Sequence, residues 1–295
     1  MRPALTGTLA MVGACTIWGL SAIYYKLLAH VPPAEVLAHR TIWSALFFAA
    51  VLAGRGRLSS VARLARGPQI AGLVTVAAIM IASNWFCFIF AVQAGHVVEA
   101  SLGYFIFPLV SVALGAAIFR ERPTRAQGGA IALAAVGVGT LIVGLGAAPW
   151  VSFALAITFG FYGVAKKAIE ADAMASVTAE VALLSPLALG WLVWAVPGWG
   201  AFTGRDAFLL VASGPITGLP LILFTVASRR LSLSGVGVIG YLNPTLQFFC
   251  ATVLFGERFT PWHAAAFGAI WIALAIYSGE AIVRRRRVRA APPAP

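Results

Sequence analysis

The chain is predicted to be an all-α integral membrane protein, with ten transmembrane helices arranged as two inverted five-helix repeats. Three observations predict this. Of the 295 residues, 61% are hydrophobic and only 10% charged, with a mean hydropathy of +0.92, whereas a soluble domain of this length has roughly a quarter of its residues charged. The apolar segments are continuous and run about 17–24 residues, the length a helix needs to cross a ~30 Å hydrocarbon core; a β-barrel would instead alternate. The third observation is an internal repeat. Gly103-Tyr104-Phe105-Ile106-Phe107-Pro108 leads, thirteen residues past the proline, to Glu121-Arg122, and Gly240-Tyr241-Leu242-Asn243-Pro244 leads by the same spacing to Glu257-Arg258. If each half crosses the membrane an odd number of times, the second copy enters from the opposite face, as in many secondary transporters.

The ten spans are read at 4–28, 34–53, 69–92, 97–119, 125–145, 149–168, 176–196, 207–228, 233–255 and 261–283. Turn formers punctuate them at Pro32-Pro33, Gly54 to Gly56, Gly67-Pro68, Pro123, Gly144 to Pro149, Pro197-Gly198 and Pro261. Residues 1–146 form the first repeat, 147–283 the second, and 284–295 a basic tail whose Pro292-Pro293 segment is expected to lack fixed structure. Trp18-Gly19 with Lys26 seven residues on is loosely matched by Phe159-Gly160 with Lys167 seven residues on, which supports duplication. The basic start at Arg2 resembles a signal peptide, but the apolar run continues to Leu28 and is read as the first span.

The formal net charge of +12 suggests a nucleic-acid partner only if the chain is soluble. Here the charges lie between apolar segments and at the tail, without aromatic interleaving, so no nucleic acid is expected and the bilayer is the partner. With the N-terminus in the cytoplasm, 17 of the 21 Lys and Arg residues fall on cytoplasmic segments, leaving Lys26, Arg40, Arg205 and Arg258. Both termini are therefore placed on the cytoplasmic side of the membrane. Arg284 to Arg287 and Arg289 would anchor the tail on anionic headgroups. Cys15, Cys87 and Cys250 sit in apolar segments with no paired spacing, so neither a disulfide framework nor a metal is expected, and no cofactor.

Several stretches carry a family resemblance: Ile17-Trp18-Gly19-Leu20, Ala38-His39-Arg40, Asn84-Trp85, the run from Gly95-His96 through Glu99 to Tyr104-Phe105, and Tyr241-Leu242-Asn243-Pro244-Thr245-Leu246-Gln247-Phe248. With ten spans in two halves, the chain resembles the EamA branch of the drug/metabolite transporter superfamily, and more narrowly the RarD family, over about residues 5–280. The resemblance implies a permease or exporter of a small solute in the inner membrane. RarD members carry a chloramphenicol-resistance label, which leaves the natural solute open. One departure is Phe107, where the family pattern has Asn before the proline; Asn243 keeps the amide in the second half.

Polar side chains are costly in hydrocarbon, so each is expected to face a cavity or a partner. Arg40, with His39 beside it, offers a fixed charge to an anionic solute or a carboxylate; snorkelling to headgroups is the other reading. Glu180 is either a protonatable coupling site, since burial disfavours the charged form, or a helix-start carboxylate after Thr178. His96 and Glu99, at the outer mouth of the fourth span, either couple protons and gate the entrance or cap the helix start. Asn84 hydrogen-bonds a neighbouring helix or lines the cavity. Snorkelling accounts for Lys26 and Lys167, with solute contact as the alternative.

Pro108 and Pro244 are expected to kink their helices. Tyr104, Tyr241, Asn243 and Gln247 cluster around the kinks, and Asn243 and Gln247 share a helix face at i, i+4. This amide pair is the main binding-site candidate, with interhelical glue as its alternative. Trp18, Trp43, Trp85 and Trp271 are read as an aromatic belt, with Trp18 also a candidate for packing a solute. Gly137 and Gly139 are read as allowing close helix packing. The repeated Glu-Arg pairs are read as structural, capping carbonyls or pairing with loop charges, with a role as gates the alternative.

Neither a metalloprotease motif, a nucleophile elbow nor an ATP-binding loop occurs in the sequence. The expectation is therefore a secondary transporter working by alternating access, with its two halves rocking about a mid-depth cavity and with proton coupling as an option. An intramembrane enzyme and a non-transporting adaptor or sensor are the alternatives. Oligomeric state is left open.

Overall fold

The computed structural model describes residues 3–64, 67–120, 122–146, 148–169, 171–195, 204–231 and 233–290. These form the helices α1 (Pro3–Leu27), α2 (Pro33–Gly54), α3 (Ser59–Leu64), α4 (Pro68–Ala94), α5 (Val97–Phe119), α6 (Arg125–Leu145), α7 (Trp150–Ala168), α8 (Ala173–Ala195), α9 (Gly204–Ser228), α10 (Leu233–Gly240), α11 (Leu242–Phe249) and α12 (Pro261–Ala290). A five-residue π-helical turn, Cys250–Leu254, follows α11. Among the described residues there is no strand. Eight of the helices are long and apolar enough to cross a membrane. With α7, 19 residues long, and the broken α10–α11 segment, they make a multi-pass membrane protein of ten crossings. The calls on Arg2, Arg66, Glu121, Pro197-Gly198 and Pro292-Pro293 lie outside the described residues.

Local chemistry sets the helix ends. Pro33 and Pro68 open α2 and α4 at a position whose N–H has no intrahelical partner. Thr124 and Gln127 close a reciprocal capping box on α6. The basic tail predicted as a separate segment instead begins as a continuation of α12, which runs to Ala290. The short α3 occupies the loop after Gly54, which the apolar pattern does not mark.

The two prolines of the repeat act differently. α5 runs unbroken through Pro108, whereas the ninth crossing separates into α10 and α11 at Tyr241. Pro244 cannot donate to the carbonyl of Gly240, four residues before it, and that oxygen is approached by the Cys15 thiol from α1 at 4.0 Å. After the repeat the two copies end alike: Arg120, at φ 54°, closes α5, and Gly256, at φ 65°, stands 136 residues later. The left-handed conformation suits glycine and strains arginine.

Helix packing is symmetric under exchange of the first five crossings with the second five. α1 packs on α9 and α11, while their counterparts α7 packs on α4 and α5; α2 meets α8 and α6 meets α12. The halves are therefore interleaved. Two close approaches lock them together. A Cβ on Gly19 would lie 2.6 Å from the Leu246 Cβ on α11, and one on Gly103 would lie 2.8 Å from the Ser152 carbonyl on α7. Gly137 likewise packs closely on α12 at Ala266 and Ala269, but Gly139 has nothing within 4 Å, so the packing role expected for it is not there.

The largest cluster of buried apolar side chains draws on both halves, joining Tyr25, Phe88 and Leu102 to Leu155, Cys250 and Phe267. Large apolar side chains such as Leu187, Val143 and Trp194 stay exposed on the outside of the bundle, as a lipid-facing surface requires.

Candidate functional site

The predicted site residues fall into two groups on either side of α5. In the first, Arg40 on α2 is buried, with its guanidinium carbon 4.0 Å from the ring centre of Trp85 and 5.5 Å from that of Tyr25. Its Nε and Nη1 are buried without a hydrogen-bond partner. Trp85 is thus no aromatic-belt anchor: it lies within α4 and forms the floor beneath Arg40. From Tyr25 the cluster continues by edge-to-face rings through Phe88 to Tyr104, each step 5.9 Å between centroids. Arg40 therefore points inward and stacks on aromatic rings, the geometry of a cation–π contact, rather than snorkelling. His39 beside it is half-buried.

Asn84 closes this group. Its Nδ2 donates to the Leu155 carbonyl at 3.0 Å and to Thr158 Oγ1 at 3.1 Å, and its Oδ1 accepts from the Tyr104 hydroxyl at 3.0 Å. One buried amide thereby ties α4 to α5 and α7, and of its two readings the interhelical one is what the geometry displays. Phe107, the departure from the family pattern, packs on Phe159 at 4.6 Å between centroids.

The second group surrounds the broken ninth crossing. Gln247 Nε2 donates to Asn243 Oδ1 at 3.1 Å, so the amide pair is formed, and Gln247 Oε1 is buried without a partner. Tyr241 stacks on Phe105 of α5 at 6.4 Å and 21°, so the two copies of the repeated motif meet. Trp18 is half-buried against Phe224 of α9, 6.1 Å between centroids.

Glu180 is fully buried in the second turn of α8. It is not a helix-start carboxylate. Lys166, in the last turn of α7, places its Nζ 2.7 Å from Glu180 Oε1 and 2.5 Å from Ser176 Oγ, and Ser176 in turn donates to Glu180 Oε1 at 2.8 Å. Lys166 also lies over the Tyr162 ring at 5.4 Å. By sequence alone Lys166 counts only as one of the 17 basic residues on cytoplasmic segments, and its pairing with Glu180 is not among the expectations. The available signal was a Lys and a Glu flanking one short loop.

The end of the bundle remote from the N-terminus carries a tie between the two halves. Glu257 reaches across to α5, accepting from the backbone N–H of Val97 and of Val98 at 2.8 Å each. It caps the donors of a helix start in the other half rather than carbonyls. His96 Nδ1 and Glu99 Oε1 stand 3.0 Å apart in the same turn, and His96 makes no side-chain cap. Lys26 does not snorkel: its Nζ donates to the Val92 carbonyl at 3.4 Å and lies 5.6 Å from the Phe255 ring. Gln93 donates to the carbonyls of Leu28 and Val31 at 3.0 Å each.

The opposite end, where Gly7 lies against Arg230 and Leu231, opens into a cavity of about 520 Å³ whose lining includes Arg55, Arg57, Asp172, Thr225, Arg229 and Arg230. Asp172 Oδ1 sits 3.8 Å from Arg57 and 3.5 Å from Arg229. No cluster of His, Cys, Asp and Glu suited to a metal ion occurs among the described residues.

Residues 5–143 match the model of the EamA-like transporter family. The chain is 41% identical to an uncharacterized transporter of Pseudomonas aeruginosa, over 93% of this chain and 94% of that protein. It is 39% identical to protein RarD of Streptomyces exfoliatus, over 97% of this chain and 92% of that protein. A crystal structure of a protein 22% identical in sequence superimposes with a TM-score of 0.60, covering 92% of this chain and 96% of that one, a likeness of fold.

Proposed function

This chain belongs to the EamA-like transporter family, on its RarD branch, and on that premise we propose that it is a secondary transporter of a small metabolite or drug-like solute working by alternating access. The observation that carries the reading is the contrast between the two ends of the bundle. One end is clasped across the halves by Glu257 on Val97 and Val98, while the other opens into a charged cavity. Placing both termini in the cytoplasm, by the distribution of Lys and Arg, makes this the inward-facing form in the inner membrane. Residues 1–146 and 147–283 are the two inverted repeats. Their kinked segments, α5 and α10–α11, meet at Phe105 and Tyr241, and this contact sets the level about which access alternates. Arg40, Tyr104 and the Asn243–Gln247 pair line the solute path from either side of α5.

Proton coupling runs through Lys166 and Glu180. A proton reaching Glu180 removes the charge that holds Lys166 and Ser176 across α7 and α8, and breaking a buried pair is energetically large enough to bias a conformational equilibrium. The test is flux in proteoliposomes loaded with a cell metabolite extract. Gradient-driven movement of an unaltered solute is expected, with the pH dependence lost in Glu180→Gln. Chemical conversion of the solute, or no flux at all, would overturn the transporter reading. Unchanged pH dependence in Glu180→Gln would remove only the coupling role.

A further inference from the structure

From the surroundings of Arg40 we infer the charge class of the solute: a monoanionic organic carboxylate with an apolar body, its carboxylate held by the Arg40 guanidinium. The inference rests on the transport reading above and narrows it.

Arg40 is 6% exposed, and among the described residues no other Lys or Arg is buried to this degree. Its charge has no acidic partner there. Glu180 is engaged with Lys166, Glu99 with His96, and Glu257 with the α5 backbone. Glu35, buried in the first turn of the same helix, has an unpartnered oxygen of its own and forms no ion pair with Arg40. The Trp85 and Tyr25 rings attract the cation, yet a ring face offsets less than the cost of desolvating an unpaired charge. A fold that keeps a cation at this position without a counter-charge leaves the counter-charge to be supplied from outside.

The geometry specifies what fits. With the Trp85 face taking the flat side of the guanidinium, its N–H donors in the guanidinium plane are left for a ligand, and Nε and Nη1, on different edges of that plane, are both without partners. Each of these donors suits a carboxylate oxygen through a charge-assisted hydrogen bond. One cation calls for one negative charge. Trp85 and Tyr25 lie against the guanidinium and Phe88 and Tyr104 extend the chain of rings from Tyr25, so the rest of the solute is apolar. The open end of the bundle is of the same sign: four arginines, Arg55, Arg57, Arg229 and Arg230, stand against Asp172, the one acidic residue lining its cavity among the described residues. A mouth of one charge concentrates solutes of the other.

The test uses the purified full chain and a panel of small monocarboxylates, each paired with its uncharged amide, led by benzoate and benzamide. Thermal unfolding in detergent is measured first. A carboxylate is expected to raise the unfolding midpoint at concentrations where its amide does not. Arg40→Lys should require at least tenfold more carboxylate, and Arg40→Gln should abolish the difference. Should Arg40→Gln fail to fold, the weakened response of Arg40→Lys decides. Equal responses to acid and amide, no response to any carboxylate, or a full response in the Arg40 variants would overturn the inference. Flux in proteoliposomes separates the two readings. Transport of the amides with the carboxylates inert removes the anion and leaves a transporter. Carboxylate binding through Arg40 without gradient-driven flux leaves the anion site and removes the transporter.

Discussion

Removing the Glu257 carboxylate should loosen the end of the bundle that it ties across the two halves. Glu257 accepts two backbone N–H bonds at 2.8 Å each, from Val97 and Val98 at the first turn of α5. A hydrogen bond to a charged group contributes about 1.5–3 kcal/mol, and a carboxylate at a helix start adds about 0.3–1 kcal/mol through the helix dipole. Water takes over the exposed donors once the clasp parts, so a loss of about 2 kcal/mol for Glu257→Ala is the conservative figure. At a tenfold change per ~1.4 kcal/mol, the open population rises roughly thirtyfold. The assay is alkylation of a cysteine placed at Ala100, fully buried in the first turn of α5, in a background where Cys15, Cys87 and Cys250 are replaced. A membrane-impermeant maleimide then reports the opening, because labelling of a transiently opened site follows its population when reclosing is fast. Glu257→Ala should label about thirty times faster, and Glu257→Gln should fall between it and the parent. Equal labelling rates in parent and Glu257→Ala would refute the clasp.

The remaining predictions concern packing and the polar core. Gly19→Ala should destabilise the protein by roughly 1–3 kcal/mol, because its new Cβ meets the Leu246 Cβ at 2.6 Å; Gly139→Ala, with nothing within 4 Å, should leave the thermal midpoint in detergent unchanged. Equal midpoints for the two variants would contradict the interlock of α1 with α11. Asn84→Ala removes three hydrogen bonds that tie α4 to α5 and α7. At about 0.6 kcal/mol for each membrane-buried bond, it should cost roughly 2 kcal/mol in a denaturant or SDS unfolding titration. No shift would show that these bonds are replaced as readily as they are lost.

How much was legible depended on whether the feature is carried along the chain or across it. Span length and apolarity are local, so ten crossings could be read directly, and the i, i+4 spacing of Asn243 and Gln247 put the two amides together as found. Pro108 and Pro244 look alike in sequence, yet only the second breaks its helix. Backbone hydrogen-bond loss is the same for both, so surrounding packing decides, and that is invisible to a local pattern. Trp85 looked like an interface anchor because Trp is common there; its role under Arg40 depends on a contact between residues 45 positions apart. The equal spacing of Glu121 and Glu257 from their prolines marked both as meaningful, but the expected partners, carbonyls or loop charges, are not what Glu257 binds. The inverted arrangement supplies its partner: the second copy ends on the face from which the fourth crossing starts, where the bare N–H groups of Val97 and Val98 wait. Lys166 and Glu180 could have been paired on paper, since a short loop brings the end of α7 beside the start of α8. The predicted site itself was split, because Tyr104 and Phe105 are neighbours in sequence but sit about 100° apart around α5, at ~3.6 residues per turn.

The most direct test of transport by alternating access is counterflow. Proteoliposomes preloaded with unlabelled solute, chosen as the compound that moved in the metabolite-extract flux experiment, are diluted into a trace of the labelled form. A carrier that exposes one site alternately to each side accumulates label inside transiently above the outside level, and Glu257→Ala, with its clasp weakened, should blunt that overshoot. Label that only equilibrates, without overshoot, would contradict the alternating-access proposal.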